Sequence, residues 1–574
     1  MNYLKKHYEF ILAFILLIIC FLLYCINIEN YPFIDTDETK YVSIAKDMLN
    51  YSDWINIKLN GENAFDCFPL FFWITNLSCL ILGKISTFAV RLPISVISLA
   101  GILFLFFTVK KILSKSYAFI ISLIMATCLG SIIFSRLATS DSIFTNITMI
   151  AILFSYLSVI EETTKKKFLF WLCTYFFCAL SVLCSGLFGA AIIAVSIITI
   201  YIFAGKVKEI FKPVFLFPGI IVFAIIVCPW NFIMLHKHGF YFIKEQLFLY
   251  NFLNYIGIKQ ILTVIFWFIL GFMPWIFSFL WILGTKIKDI INSVYSYIKD
   301  NSQEKLQEKW NKLNNIDKFL SMNTIVFFTA FIFALLYGTK YSFLILFLMF
   351  PASCISGHYW YEYILKKEHD KSIFFSTLIP NLVLIICSLI GLFGHNIINT
   401  LIFQGLNHLI IPLVIIFFVI PLIGIFSVIL KGRITALASN LLLMICLSFV
   451  ITPSIFNFMS VYGGENDLIN FAQKANHEKV KLAAFIPSKK YSLIYYYDKP
   501  VNFYNNKDLP LLKKYLEENQ TAYVVVEIKD LWAIEENNIK YLLIDSGKRY
   551  CLIQYMPYIP NQEEDEEEPE IIVY

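Results

Sequence analysis

Charge is what this sequence has least of. Across 574 residues, Asp, Glu, Lys and Arg make up 15%, against about 25% in soluble domains. Mean hydropathy is +0.70. The composition is that of an integral membrane protein with many spans. Cys-x-x-Cys pairs and Cys/His clusters are missing, which removes the usual structural metal sites. Most of the 13 cysteines lie inside apolar runs (Cys20, Cys128, Cys178, Cys387, Cys446). Cys67 and Cys551 are expected outside the bilayer, where a bond between them is open. The net charge of +5 is spread over short loops, so nothing points to nucleic acid. Internal repeats and charges near the middle of the apolar runs are also missing. Both are expected of a lipid or polysaccharide transporter.

What is there in quantity is apolar runs. About 20 such residues cross a bilayer. Thirteen runs qualify: 10–27, 88–109, 117–134, 143–160, 168–185, 188–204, 214–233, 261–283, 323–337, 341–357, 373–394, 408–430 and 434–456. Lys5 and Lys6 precede the first as in a signal peptide, but no small-residue cleavage site follows. The run is expected to stay as an anchor helix. With the N-terminus in the cytoplasm, the inner loops carry Lys110, Lys111 and Lys115, then Lys165–Lys167, then Lys206, Lys208 and Lys212. The lysine-rich segment 284–322, Lys366, Lys367, Lys371, Lys431 and Arg433 follow on the same side. The positive-inside rule is satisfied at each step. The long outer segments are 28–87 and 236–260, each expected to hold surface helices, one of them at 68–82.

The expected fold is therefore an all-α polytopic membrane domain, residues 1–456, with a periplasmic loop at 28–87. After residue 456 the composition changes. Helical patterns at 465–476 and 508–518 and strand patterns at 480–486, 522–528, 541–545 and 551–555 predict a small outer α/β domain over 457–560. Residues 561–574 form an acidic tail.

Ionisable residues are expensive in a membrane protein and mark function. They gather at the outer ends of the runs. Asp35-Thr36-Asp37-Glu38-Thr39-Lys40-Tyr41 follows the first run directly. Tyr41, Ile44, Ala45, Met48 and Leu49 continue it with helical spacing. Thr36 suits an N-cap, so Asp37 and Glu38 fall in a first helical turn. Acids there also stabilise a helix through its dipole, by roughly 0.3–1 kcal/mol each. Asp66, Arg136, Asp141, Glu245 and Lys340 lie at the same side. Each has a plain structural reading too: Arg136 as a snorkelling helix-end arginine, Asp141 as a helix cap, Lys340 as an interfacial lysine. The layout suits a lipid-linked polar substrate whose head group sits outside.

From Asp35 to Pro93 the chain resembles polytopic glycosyltransferases of the GT-C type that use polyprenyl-phosphate sugars. Bacterial aminoarabinose transferases of lipid A and protein mannosyltransferases are the relatives in question. The resembling residues are Asp37-Glu38-Thr39-Lys40-Tyr41, Gly61 to Trp73, and Arg91-Leu92-Pro93. Arg136 with Asp141, and Lys340-Tyr341, match weaker signatures. The resemblance implies a polyprenyl-phosphate-linked sugar donor and an acceptor that is lipid A, another glycan or a protein, met in the bacterial inner membrane. It implies Asp37 as general base and Asp141 as a second catalytic acid group. Glu38, Tyr41, Asp66, Arg136 and Glu245 would serve substrate binding, and Lys40 and Lys340 would hold the lipid phosphate. No cofactor is required, although the first-loop carboxylates have the chemistry to hold a divalent metal.

The chain also departs from the pattern. Asp66-Cys67-Phe68-Pro69 stands where relatives carry an acid, a lysine and two prolines. Ser185-Gly186-Leu187 replaces a Lys-Gly-Pro, and Gln246 and Tyr250 replace a His and an Arg. These losses of cations lean towards a hydroxyl acceptor or a less charged donor. They leave a non-catalytic scaffold of the same shape as the rival reading.

Overall fold

The structure, a computed structural model, describes residues 2–35, 37–248, 257–284, 303–337, 342–368, 370–393 and 407–556. Tyr250, Lys340, the acidic tail 561–574 and the side chain of Asp37 lie outside the described residues. The chain packs as two compact units. The first is Met1–Phe33 with Ile44–Phe456; the second is Ile34–Ser43 with Asn457–Tyr574. The second therefore includes a piece of the long segment between α1 and α3.

The first unit is helical. Its leading elements are α1 (Asn2–Tyr24), α2 (Asp37–Asn50, of which the part from Ile44 belongs here), α3 (Pro69–Leu82), α4 (Thr87–Ile112), α5 (Lys115–Thr127) and α6 (Leu129–Phe134). Then come α7 (Ser140–Ile160), α8 (Thr164–Ser185), α9 (Leu187–Phe203), α10 (Val207–Ile210), α11 (Pro213–Phe248) and α12 (Ile258–Gly271). Helices Asn315–Tyr337, Ser342–Phe347, Met349–Tyr361, Asp370–Phe393, Asn407–Ile429 and Arg433–Tyr462 follow. Among the described residues, 7 helices are long and apolar enough to cross a membrane. Each of the other expected runs contains a shorter apolar helix, such as Tyr8–Tyr24 or Leu187–Phe203. The expected surface helix at 68–82 is α3, started by Pro69 at its first position and stopped by Gly83 in the left-handed region (φ 69°).

The two ends of α1 are pinned by different chemistry. Near its start, Glu9 pairs with Lys110 (3.4 Å) and Lys115 (3.1 Å) across the α4–α5 turn. Beyond its other end, the chain runs on through residues 25–33 among two buried guanidiniums. Arg91 of α4 donates to the carbonyls of Ile28 (2.7 Å), Tyr31 (2.9 Å) and Pro32 (2.9 Å). Its guanidinium lies 4.0 Å from the centre of the Tyr31 ring. Arg136, in the α6–α7 turn, donates to Leu23 (2.9 Å) and Ile26 (2.8 Å), and Tyr31 Oη donates back to the Arg136 carbonyl (3.2 Å). The last carbonyls of a helix have no partner within it, so these donors replace water that the interior does not supply.

Pro93 lies inside α4 and cannot donate to the Ala89 carbonyl. Ser78 Oγ of α3 supplies that bond instead, at 2.6 Å. Gly101 brings α4 close to α7: a Cβ there would sit 1.7 Å from Asn146 Oδ1. The outer segment of the first unit also holds a two-strand hairpin, β1 (Lys58–Leu59) and β2 (Glu62–Asn63). Its turn, Asn60-Gly61, has φ of 56° and 85°, the backbone that Asn-Gly favours.

The second unit has a five-stranded sheet in the order β4-β3-β5-β7-β6. The strands are β3 (Leu482–Phe485), β4 (Asn502–Tyr504), β5 (Tyr523–Glu527), β6 (Tyr541–Ser546) and β7 (Tyr550–Tyr555). β3 pairs parallel with β4 and β5, and β7 pairs antiparallel with β5 and β6. Val524, Val526, Leu512, Leu516 and Ile553 form its core. Helices Glu465–His477 and Leu509–Glu518 match the expected ones; β4 and helix Tyr491–Tyr497 were not foreseen. Cys67 and Cys551 are both free and buried, so the bond left open between them is not formed. Cys551 Sγ instead lies 3.6 Å from the Val526 carbonyl.

Replacing Arg91 with Met leaves two buried carbonyls and one partly buried carbonyl without their donor, at about 1–3 kcal/mol for each buried one. The variant is expected to melt well below the wild type in detergent, with Arg91→Lys between them. An unchanged melting midpoint for Arg91→Met would contradict this account.

Candidate functional site

The candidate residues divide between the two units. In the first, Arg136 and Asp141 lie five residues apart, and Arg136 bonds to the chain at the end of α1. Asp141 is buried in the first turn of α7. Ser342, the first residue of its helix, donates its hydroxyl to the Asp141 carboxylate. Arg136 is buried and turned onto backbone carbonyls rather than reaching for solvent. Its neighbour in that task, Arg91, carries no distinguishing signal in the sequence beyond the Arg-Leu-Pro resemblance.

Asp66 is exposed, beside buried Cys67. The preceding Phe65 packs edge-on against His238, Tyr241 and Phe242 of α11, with centroids 5.1–5.7 Å away. His238 Nε2 meets Asn56 Oδ1 at 3.2 Å, and Trp230 Nε1 donates to Ile55 at 3.1 Å. Half-buried Glu245 follows on the same segment. α11 is interrupted at Gly239 (φ 61°, ψ −156°), a conformation that only glycine adopts cheaply. That break separates the membrane run from the surface portion expected at 236–260.

Of the positions where the resemblance leads one to expect cations, Ser185 is buried and bonds to the Ser181 carbonyl (3.1 Å). Cys67 lies against Asp66 (3.8 Å). Both spend their polar atoms locally.

In the second unit, residues 34–43 form the entry and first turns of α2. Glu38 is buried, and its carboxylate accepts from the Ile34 N–H at 2.8 Å. It thus holds the loop's own backbone. Asp37 opens α2, and half-buried Lys40 and Tyr41 follow on it. Thr39 Oγ1 donates to Asp35. Asp35 in turn accepts from the Tyr491 N–H (3.1 Å) and Ser492 Oγ (3.2 Å), with Lys490 Nζ 3.7 Å away. Reading the residues in order could not find this set, because its members lie 456 positions apart.

Beside it sits Glu465, first residue of its helix. Burial pushes its carboxyl up to about 7, helped by the Asp35 carboxylate. The Lys490 ammonium, the Asp35 N–H and Arg549 oppose that rise. Among the described residues no group of three or more His, Cys, Asp or Glu converges as metal ligands would.

Comparison with known proteins places these features. Residues 66–233 match the model of the dolichyl-phosphate-mannose-protein mannosyltransferase family. That interval holds Asp66, Arg91, Arg136 and Asp141, but neither the Asp37–Tyr41 stretch nor Glu245. An undecaprenyl phosphate-alpha-4-amino-4-deoxy-L-arabinose arabinosyl transferase of Yersinia enterocolitica is 26% identical over 212 residues, 36% of this chain and 37% of that one. Its counterpart in Pectobacterium carotovorum is 27% identical over 222 residues, 38% of each. The chain thus spans well under half the length of these relatives. The crystal structure of ArnT from Cupriavidus metallidurans superposes with a TM-score of 0.70, at 14% identity, over 96% of this chain and 98% of that one. The same protein bound to undecaprenyl phosphate gives 0.69 over the same shares. The chain has the ArnT fold. The agreement takes in nearly the whole length, well beyond the 66–233 interval of the family model.

Because the folded state raises the Glu465 value above its usual 4.5, it favours the protonated form. That contribution to stability is full below about 4.5 and is lost as pH rises through about 7. Glu465→Gln is therefore expected to raise the melting midpoint more at pH 8 than at pH 5. Thermal scans at the two pH values check it, and a gain equal at both would contradict it.

Proposed function

We propose that the chain is a membrane glycosyltransferase that moves one sugar from a polyprenyl-phosphate carrier to an acceptor hydroxyl. The observation that carries this reading is the ArnT fold over 96% of the chain joined to an Asp37-Glu38 pair at the start of α2. The acceptor classes are lipid A, another glycan or a protein. The setting is a bacterial inner membrane, with the N-terminus cytoplasmic and the second unit periplasmic, the orientation that the basic loops favour.

In this reading the Asp37 carboxylate takes the proton of the attacking hydroxyl, whose oxygen bonds to the anomeric carbon. The bond from that carbon to the phosphate oxygen breaks, and polyprenyl phosphate leaves with the electron pair. The leaving phosphate needs cations to meet its growing charge, a task given to Lys40 and Lys340. Asp141, held by Ser342, is the second acidic group. Glu38 supports the turn through one carboxylate oxygen, which accepts from the Ile34 N–H, and in this reading the carboxylate also serves the sugar. A scaffold without catalysis is the second reading. The local engagement of Ser185 and Cys67, where relatives carry cations, favours it.

Asp37→Asn keeps the shape and removes the base. A general base contributes about 10²–10⁴-fold, so the purified variant is expected to lose at least about a hundredfold in transfer. Mass spectrometry of lipid A, surface glycan and glycoproteins from a deletion strain names the acceptor. Unchanged masses in all three, with the protein expressed, favour the scaffold. We also expect transfer to persist in excess EDTA; its loss, restored by a divalent ion, would give the first-loop carboxylates a metal.

A further inference from the structure

In open α/β sheets, ligands bind outside the carboxyl ends of the strands, where the strand order reverses direction. The second unit has such a point. From β3 the chain crosses to β4 on one side, then returns past β3 to β5 on the other. The segment leaving β3 carries Lys490, Tyr491 and Ser492. The end of β5 carries Glu527, which pairs with Arg549 (3.0 Å) and Lys529 (3.1 Å). Against the segment that leaves β3 the unit holds a piece of its own chain. The Asp35 side chain is fully buried and accepts from the Tyr491 N–H and Ser492 Oγ, with the Lys490 ammonium 3.7 Å away. Its own N–H is directed to Glu465. Ser43 Oγ, at the far end of the segment, reaches the Tyr491 carbonyl at 3.5 Å.

We propose that the C-terminal α/β unit is a clamp whose ligand is residues 34–43 of the same chain, with Asp35 as the positioning residue that sets the first turn of α2 and hence Asp37. Asp35 touches no substrate in this scheme; it acts through the backbone it fixes. Thr39 and Glu38 tie that backbone from inside the segment, and Lys490, Tyr491 and Ser492 tie it from the unit. The proposal rests on the transferase reading only for the consequence at Asp37, and the clamp itself is tested without it.

Hydrogen–deuterium exchange on the full-length protein in lipid nanodiscs reads the clamp directly. Lys490→Ala and Ser492→Ala together remove two of the partners of Asp35 while leaving residues 34–43 unaltered. Exchange across 34–43 is expected to quicken by about tenfold or more, the worth of a charge-assisted hydrogen bond. Strands β3 and β5 should keep their wild-type protection, showing that the unit remains folded. Lys490→Arg, which keeps the charge, is expected to stay near wild type. Asp35→Asn should act from the other side of the same contact. If the double variant leaves exchange at 34–43 unchanged with the strands protected, the clamp is wrong, whatever the protein catalyses. If exchange quickens in a chain that shows no transfer in its wild-type form, the clamp stands and the transferase reading falls. Where transfer is measured, loosening the clamp is expected to lower kcat far more than it changes KM for the lipid donor. The reverse pattern would overturn the positioning role.

Discussion

Buried backbone carbonyls need donors, and the chain that leaves α1 carries several. Arg91 and Arg136 meet that need with five bonds of 2.7–2.9 Å to the stretch between Leu23 and Pro32. Arginine suits the task because its planar fork offers several donors at once and it cannot shed its charge. A lysine at either place would reach fewer of these carbonyls. The consequence is positional. The chain leaves α1 along a path fixed by α4 and by the α6–α7 turn. Asp141 lies in the first turn of the helix that follows.

A second constraint runs through the same corner. Pro93 breaks the bonding of α4 two residues after Arg91, and Ser78 of α3 repairs it. Thus α3 is tied to α4 by a backbone need rather than by apolar contact alone. The outer segment between α2 and α3 is held in turn by Trp230, His238 and the aromatic rings around Phe65. These ties are polar or directional, and in a setting where apolar burial discriminates poorly between neighbours they give the helices definite places.

How much of this was legible beforehand varies with range. Apolar runs, lysine-bearing turns and the change of composition near residue 456 are local signals, and helices stand where the runs lie. The α/β character of the C-terminal part was legible from its strand patterns, although β4, three residues long, is too short to announce itself. The hairpin at Asn60-Gly61 was there to be read in its turn residues and was passed over. Among the site residues, Asp141 and Arg136 stood out as charges in an apolar chain. What they touch did not, because a carbonyl acceptor leaves no trace in side-chain identity. Glu38 read as a substrate ligand, and its bond to the Ile34 N–H, a backbone contact, left no mark in the sequence. Asp35 stood out with its neighbours, but its partners Glu465 and Lys490 did not, since each looks like an ordinary surface charge until the chain is folded.

The second unit is discontinuous, and that has a consequence for how the protein is made. Asp35 and its partner Tyr491 are 456 residues apart. At roughly 5–20 residues per second, the early segment waits roughly 20–90 s for its binding surface to be synthesised. Throughout that time the membrane helices are inserting around a loop whose final contacts do not yet exist. Completion of the last strands is therefore also the step that finishes the beginning of the chain. A protein truncated before Lys490, with all its membrane helices in place, would leave Asp35 with its Thr39 bond but without its later partners.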